Sequence, residues 1–201
     1  MVIDYYNVKQ FWEWFKTISE ELYYNPNDGA LIKSLDLKVA NLGPFDWEIG
    51  PTLDSDLYFA ISPNLNIDLM PAAKEIVASA IPSNGWLFLA AKPEKGFIEE
   101  WDMLNEFNQA IHINIMNWQY ILFQFEDNSF DMDLIVDNIQ ETTSTTKLAA
   151  EIALTNILGE EEFVKWIKNI RVLPSKEISN EGNLTMLKNL KKHLYSIISK
   201  F

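Results

Sequence analysis

Asp131-Met132-Asp133 is the carboxylate pair whose spacing best suits chemistry in this chain. On a β-strand, residues i and i+2 share a face and lie about 7 Å apart. With Glu126, Asp127 and Asp137 close in sequence, that face could hold Mg²⁺ or Ca²⁺ through oxygen ligands. A divalent-metal-dependent hydrolase or transferase would use it so. The plain alternative is the solvated outer face of an antiparallel strand. Aspartates are poor strand formers, and that local conflict keeps the chemical reading open. Asp54-Ser55-Asp56 repeats the spacing in a turn, which shows how readily the pattern arises by chance.

Other candidates are isolated. Glu48 stands beside Trp47 and just before Gly50-Pro51, where apolar neighbours could raise a carboxyl for use as an acid. Strand alternation points it away from Trp47, into water or a second layer. His112, between Ile111 and Ile113 in an acidic stretch, could be a general base held by a carboxylate, or a plain packed or surface residue. His193 follows Lys191 and Lys192 on a C-terminal helix and is expected to face solvent. Trp14 lies about 160° off the apolar stripe that contains Trp12, by the 100° step of a helix. It is therefore either covered by another element, with the C-terminal helices the expected cover, or exposed as a binding anchor.

Composition removes whole classes. The 201 residues contain no cysteine, which excludes a disulfide scaffold, a thiolate zinc site and a cysteine nucleophile. Two histidines cannot form a histidine triad around a metal. No G-x-S-x-G, P-loop or G-x-G-x-x-G occurs, and no cofactor is called for. The start, Met1-Val2-Ile3-Asp4-Tyr5-Tyr6, lacks the basic and apolar runs of a signal peptide. The longest apolar run, Trp86 to Ala91, is far short of the ~20 residues a bilayer needs. These absences set the expectation of a soluble cytoplasmic protein with no membrane association.

Charge is the most informative bulk property. The formal net charge is −13, and it is uneven. Residues 1–141 carry 7 basic and 23 acidic side chains, whereas residues 142–201 carry 9 and 6. Between 93 and 141, Lys95 stands alone against 11 acids. Such a surface repels nucleic-acid phosphates and anionic lipid and attracts cations or basic proteins. It also serves solubility.

The elements that must position these residues follow from periodicity. Val8, Phe11, Trp12, Phe15, Ile18 and Leu22 mark a first helix, with Asn7 and Gln10 as a capping box. Leu31, Leu35, Val39 and Leu42 mark a second, stopped by Gly43-Pro44. Strands at 45–49 and 57–62 should pair antiparallel, and Asp68 should cap a third helix ended by Pro82. Trp86 to Ala91, apolar on both faces, suits the middle of a sheet and completes a β-α-β unit over 57–91. Residues 94–117 are ambiguous between helix and strand. A hairpin over 118–125 and 130–136 then places Phe130, Met132, Leu134 and Val136 inward, with Asp131, Asp133, Asp137 and Ile135 outward. The polar run 138–147 reads as a loop within one domain, because the residues beyond it are too few for a comfortable core. Helices are expected at 148–158, 160–170 and 183–201, with an extended link at 172–174.

Several short motifs form a pattern: Phe11-Trp12-Glu13-Trp14-Phe15, Glu48-Ile49-Gly50-Pro51, Ile61-Ser62-Pro63-Asn64 and Ile81-Pro82 with Gly85-Trp86-Leu87-Phe88. Gly159-Glu160-Glu161 and Val172-Leu173-Pro174 follow. Together they resemble a family of uncharacterised bacterial proteins with an FWxWF opening, with Ile81 where alanine is usual. The resemblance implies an α+β fold in a bacterial cytoplasm and transfers no catalytic residue. The expected fold is a single α+β domain over 1–201. A mixed, mostly antiparallel sheet of five or six strands would be packed by N- and C-terminal helices. The leading functional expectation is a non-enzymatic binding protein, of immunity or regulatory type, whose acidic surface engages a basic protein partner. Asp131, Asp133, Asp137, Glu126 and Trp14 are the candidate binding residues.

Overall fold

A computed structural model describes residues 1–53, 56–137, 143–175 and 184–199. The fold is α+β, and its strand pairings are mixed and mostly antiparallel. Among the described residues the strands form three sheets rather than the one expected, of three, two and four strands. The chain divides into two compact units, Met1–Pro93 and Glu94–Phe201, well ahead of the polar run at 138–147. Most of that run, 138–142, lies outside the described residues, as do Asp54 and Ser55 of the second D-x-D pattern.

The first unit opens with α1 (Tyr5–Tyr24). Its N-cap is Asp4, whose carboxylate accepts from the Tyr6 and Asn7 amides, so the helix begins before the Asn7–Gln10 pair. An ionised oxygen at this position satisfies two orphan N–H groups and suits the positive helix end. Asp28 caps α2 (Gly29–Ala40) in the same way. β1 (Asp46–Pro51) and β2 (Leu57–Ser62) pair antiparallel, and β3 (Trp86–Leu89) lies parallel to β2. The crossover contains a 3₁₀ turn (Ile67–Leu69), capped by Asn66 rather than Asp68, and α3 (Met70–Ala78). The β-α-β unit thus stands, but β2 is the central strand and β3 an edge with Leu87 exposed. The helices and β2 meet in one apolar cluster around Phe11, Trp12, Phe15 and Phe59.

The second unit begins with a two-stranded hairpin, β4 (Glu100–Leu104) and β5 (Ala110–Asn114), which resolves the ambiguous stretch as strand. β6 (Gln119–Gln124) and β7 (Phe130–Val136) form the expected second hairpin. α4 (Ser144–Leu158) is buried on almost every side. α5 (Glu160–Trp166) is shorter than its periodicity suggests, because Ile167 starts β8 (Ile167–Pro174), paired parallel to β7. The final segment is not one long helix. β9 (Thr185–Met186) adds to β6, and a 3₁₀ turn leads into α6 (Leu190–Ile198). The four-stranded sheet therefore has the order β8-β7-β6-β9, with β7 central. No described helix is long and apolar enough to cross a membrane.

Candidate functional site

The face expected to hold Asp131 and Asp133 is built by three strands. Register places Phe123, Asp131 and Asn169 in one row across β6, β7 and β8, and Ile121, Asp133 and Arg171 in the next. A shift between Phe130 and Asp131 creates the β8 side of this arrangement. Phe130 pairs with Ile167 and Asp131 with Asn169, so Lys168 is the extra residue of a bulge. One residue of slip turns every following side chain to the other face. The bulge therefore brings Asn169 and Arg171, rather than Lys168 and Ile170, to the aspartates.

Asn169 Nδ2 donates to Asp131 Oδ1 at 2.8 Å. Arg171 Nε and Nη2 donate to the two oxygens of Asp133 at 2.8 and 2.5 Å. This fork-to-carboxylate geometry is the strongest form of charged hydrogen bond, and the Asp133 partner holds the Arg171 pKa above its ordinary value. Asp133 is only 8 % exposed, whereas the Arg171 side chain is 68 % exposed. The expectation of a solvated outer face is corrected for Asp133: β7 is central, and the guanidinium from the adjacent strand caps the carboxylate. Beside these pairs Phe123 and Phe125 stand 45 % and 48 % exposed. Together they line a groove of about 440 Å³.

Both Asp133 oxygens are thus engaged, and among the described residues no group of three or more His, Asp or Glu is placed to hold a metal ion. Glu126 is exposed in the β6–β7 turn and does not line the groove. Asp137, beyond the end of β7, accepts from Asn117 Nδ2 at 3.2 Å and stays outside it too. Trp14 belongs to the first unit. It is half-buried against the apolar cluster, 6.0 Å from the Phe11 ring, with Lys38 of α2 over its face at 5.4 Å. Its cover includes α2, an element the helical wheel alone does not select. The groove residues missed in the sequence are Phe123, Phe125, Asn169 and Arg171. One signal for the last was present: Arg171 is the only arginine in the chain.

The remaining candidates lie outside the groove. Tyr58 donates its hydroxyl to Glu48, and burial, reinforced by that carboxylate, raises the Tyr58 pKa. His193 does not simply face solvent. It is half-buried, with Nδ1 2.7 Å from the hydroxyl of the fully buried Tyr120.

His112 is exposed on β5, opposite Asp102 on β4. Nδ1 lies 2.9 Å from Asp102 and Nε2 3.4 Å from Glu100. The Asp102 hydrogen bond is the main cause of a raised His112 pKa. A raised folded-state pKa adds stability below the unfolded value, about 6.5, and loses it as pH climbs through the folded value. An NMR titration of the His112 ring is expected to give a midpoint above 6.5 that falls in Asp102→Asn. An unchanged midpoint in that variant would remove Asp102 as the cause.

No known protein family, curated protein or solved structure matches this chain.

Proposed function

We propose that this protein is a binding protein for a basic protein partner, and that the β6–β7–β8 groove seats a lysine or arginine side chain of that partner. One observation carries the reading. Asp131, whose Oδ2 has no partner among the described residues, lines a groove together with the half-exposed Phe123 and Phe125. A carboxylate beside aromatic faces suits a guanidinium or ammonium, which gains a charged hydrogen bond and a cation–π contact together. Arg171 does not oppose this, since Asp133 already neutralises it. The acidic surroundings, with one base against 11 acids over 93–141, steer a basic partner and disfavour nucleic acid.

The metal-enzyme alternative finds less support, because a cation would have to displace Arg171 from Asp133 before using both aspartates. The test is fluorescence anisotropy with a labelled arginine-rich peptide at two salt concentrations. Binding is expected to weaken with salt, and to fall roughly tenfold in both Asp131→Asn and Phe123→Ala. Glu126→Gln, an exposed acid outside the groove, should change it little. Equal losses in all three variants, or none in the groove pair, would sink the proposal in favour of diffuse charge attraction.

A further inference from the structure

The first unit contains a larger cleft, of about 720 Å³, between the C-terminal half of α1 and the loop before β3. That volume lies within the range of small-molecule sites. Lys16, Glu20 and Tyr24 follow one another at single-turn spacing along α1, and Ser83 and Asn84 face the same cleft from the loop.

The two walls are tied together. Trp86 Nε1 donates to the carbonyl of Ser19 at 2.9 Å. Gly85 meets Tyr23 so closely that a Cβ there would lie 2.7 Å from the ring, and its φ of +78° is a conformation that favours glycine. Tyr23 in turn packs edge-on against Trp86 and Tyr24. The backbone walls of the cleft are therefore held in place before any ligand arrives, and the ordering cost of binding falls on the exposed side chains of Lys16, Glu20 and Asn84.

Four of its polar side chains are uncommitted, while Thr17, Ser19 and Ser83 donate to backbone carbonyls. The side chains of Lys16, Glu20, Tyr24 and Asn84 have no hydrogen-bond or ion-pair partner among the described residues, and Tyr24 is 73 % exposed. Lys16 and Glu20 offset each other's charge, so the cleft favours neither a strong anion nor a cation. What they offer together is a donor beside an acceptor, with an amide that is both and a flat apolar ring.

We infer that this cleft binds a neutral polyhydroxylated ligand, a saccharide: its hydroxyls bridge Lys16, Glu20 and Asn84 while the apolar face of a pyranose ring lies on Tyr24. This site is independent of the basic-partner groove.

The test is amide NMR of the full chain titrated with glucose, N-acetylglucosamine and maltotriose, and with inorganic phosphate and glycine as charged probes. Saturable changes are expected over 16–24 and 82–86 with at least one sugar. Affinity should fall at least roughly tenfold in Tyr24→Ala and in Asn84→Ala and persist in Tyr24→Phe, which retains the ring. Tyr24 is exposed enough that Tyr24→Ala should melt like the parent, so loss of binding there would not be loss of fold. The inference is overturned if no sugar saturates at tens of millimolar. It is equally overturned if phosphate or glycine binds these residues more tightly than every sugar, or if Tyr24→Ala binds like the parent.

Discussion

Trp12→Ala is expected to destabilise the first unit by about 4 kcal/mol, at the upper end of what buried large-to-small substitutions cost. The indole is almost fully buried and lies edge-on to Phe11 and Phe88, with ring centroids 4.8 Å away in each case. Phe15 and Phe59 close the other sides. Alanine leaves a cavity among aromatic rings that belong to α1, β2 and β3, so the elements cannot all move in to fill it. The indole also donates to the Ile76 carbonyl at 2.8 Å, tying α1 to α3. Trp12→Phe separates the two effects, since it keeps most of the ring and removes the donor. It should cost about 1–2 kcal/mol, the sum of one hydrogen bond and a small volume loss. Urea unfolding followed by circular dichroism measures both. If phenylalanine is as damaging as alanine, the hydrogen bond rather than the packing dominates, and this account of the core is wrong.

Gly50→Ala is expected to cost about 2 kcal/mol by overpacking. Gly50 pairs with Tyr58 across β1 and β2, and a Cβ at Gly50 would stand 2.6 Å from the Tyr58 Cζ. The phenol cannot swing aside freely. Tyr58 is buried and donates its hydroxyl to Glu48, two residues earlier on the same strand as the glycine. The glycine leaves the space in which this tyrosine lies flat across the neighbouring strand. A double-mutant cycle isolates the clash: Gly50→Ala added to Tyr58→Ala should cost almost nothing further, giving a coupling of about 2 kcal/mol. Additive losses would mean that the glycine matters for some reason other than the ring.

These two positions show what the sequence makes legible. The apolar stripe on α1, the antiparallel β1–β2 pair, the β-α-β crossover and the β6–β7 hairpin are local in sequence, and periodicity of 3.6 or 2 is enough to find them. What escaped was set by distant partners. Trp86 to Ala91 reads as a central strand because it is apolar on both faces, yet the strand it contains, β3, is an edge among the described residues, since no periodicity specifies which strand lies outside. Ile167 to Ile170 continue the helical pattern of Phe163 and Trp166, but pairing with β7 draws them into a strand. Context overrides propensity there. The candidate site was half visible. Alternation correctly put Asp131 and Asp133 on one face. Their partners Asn169 and Arg171 lie 38 residues away and reach them only through the Lys168 bulge, for which the sequence has no marker. The metal-binding expectation weakened for that reason: a spacing argument counts carboxylates and cannot see which are already occupied.

The division of strand partners between the units bears on the order in which the protein is made. Among the described residues β1, β2 and β3 pair only with one another, within the first 93 residues, so this sheet can close while the rest of the chain is still being synthesised. The second unit has no such advantage. Its two hairpins can form as they emerge, but β7 must wait for β8 and β6 for β9, at residues 185–186. Until then the hairpin presents two open edges, and the buried carboxylate of Asp133 has no arginine. During that interval the nascent chain is most exposed to wrong strand pairing, and a chaperone that holds it would act between the completion of β7 and the arrival of β9.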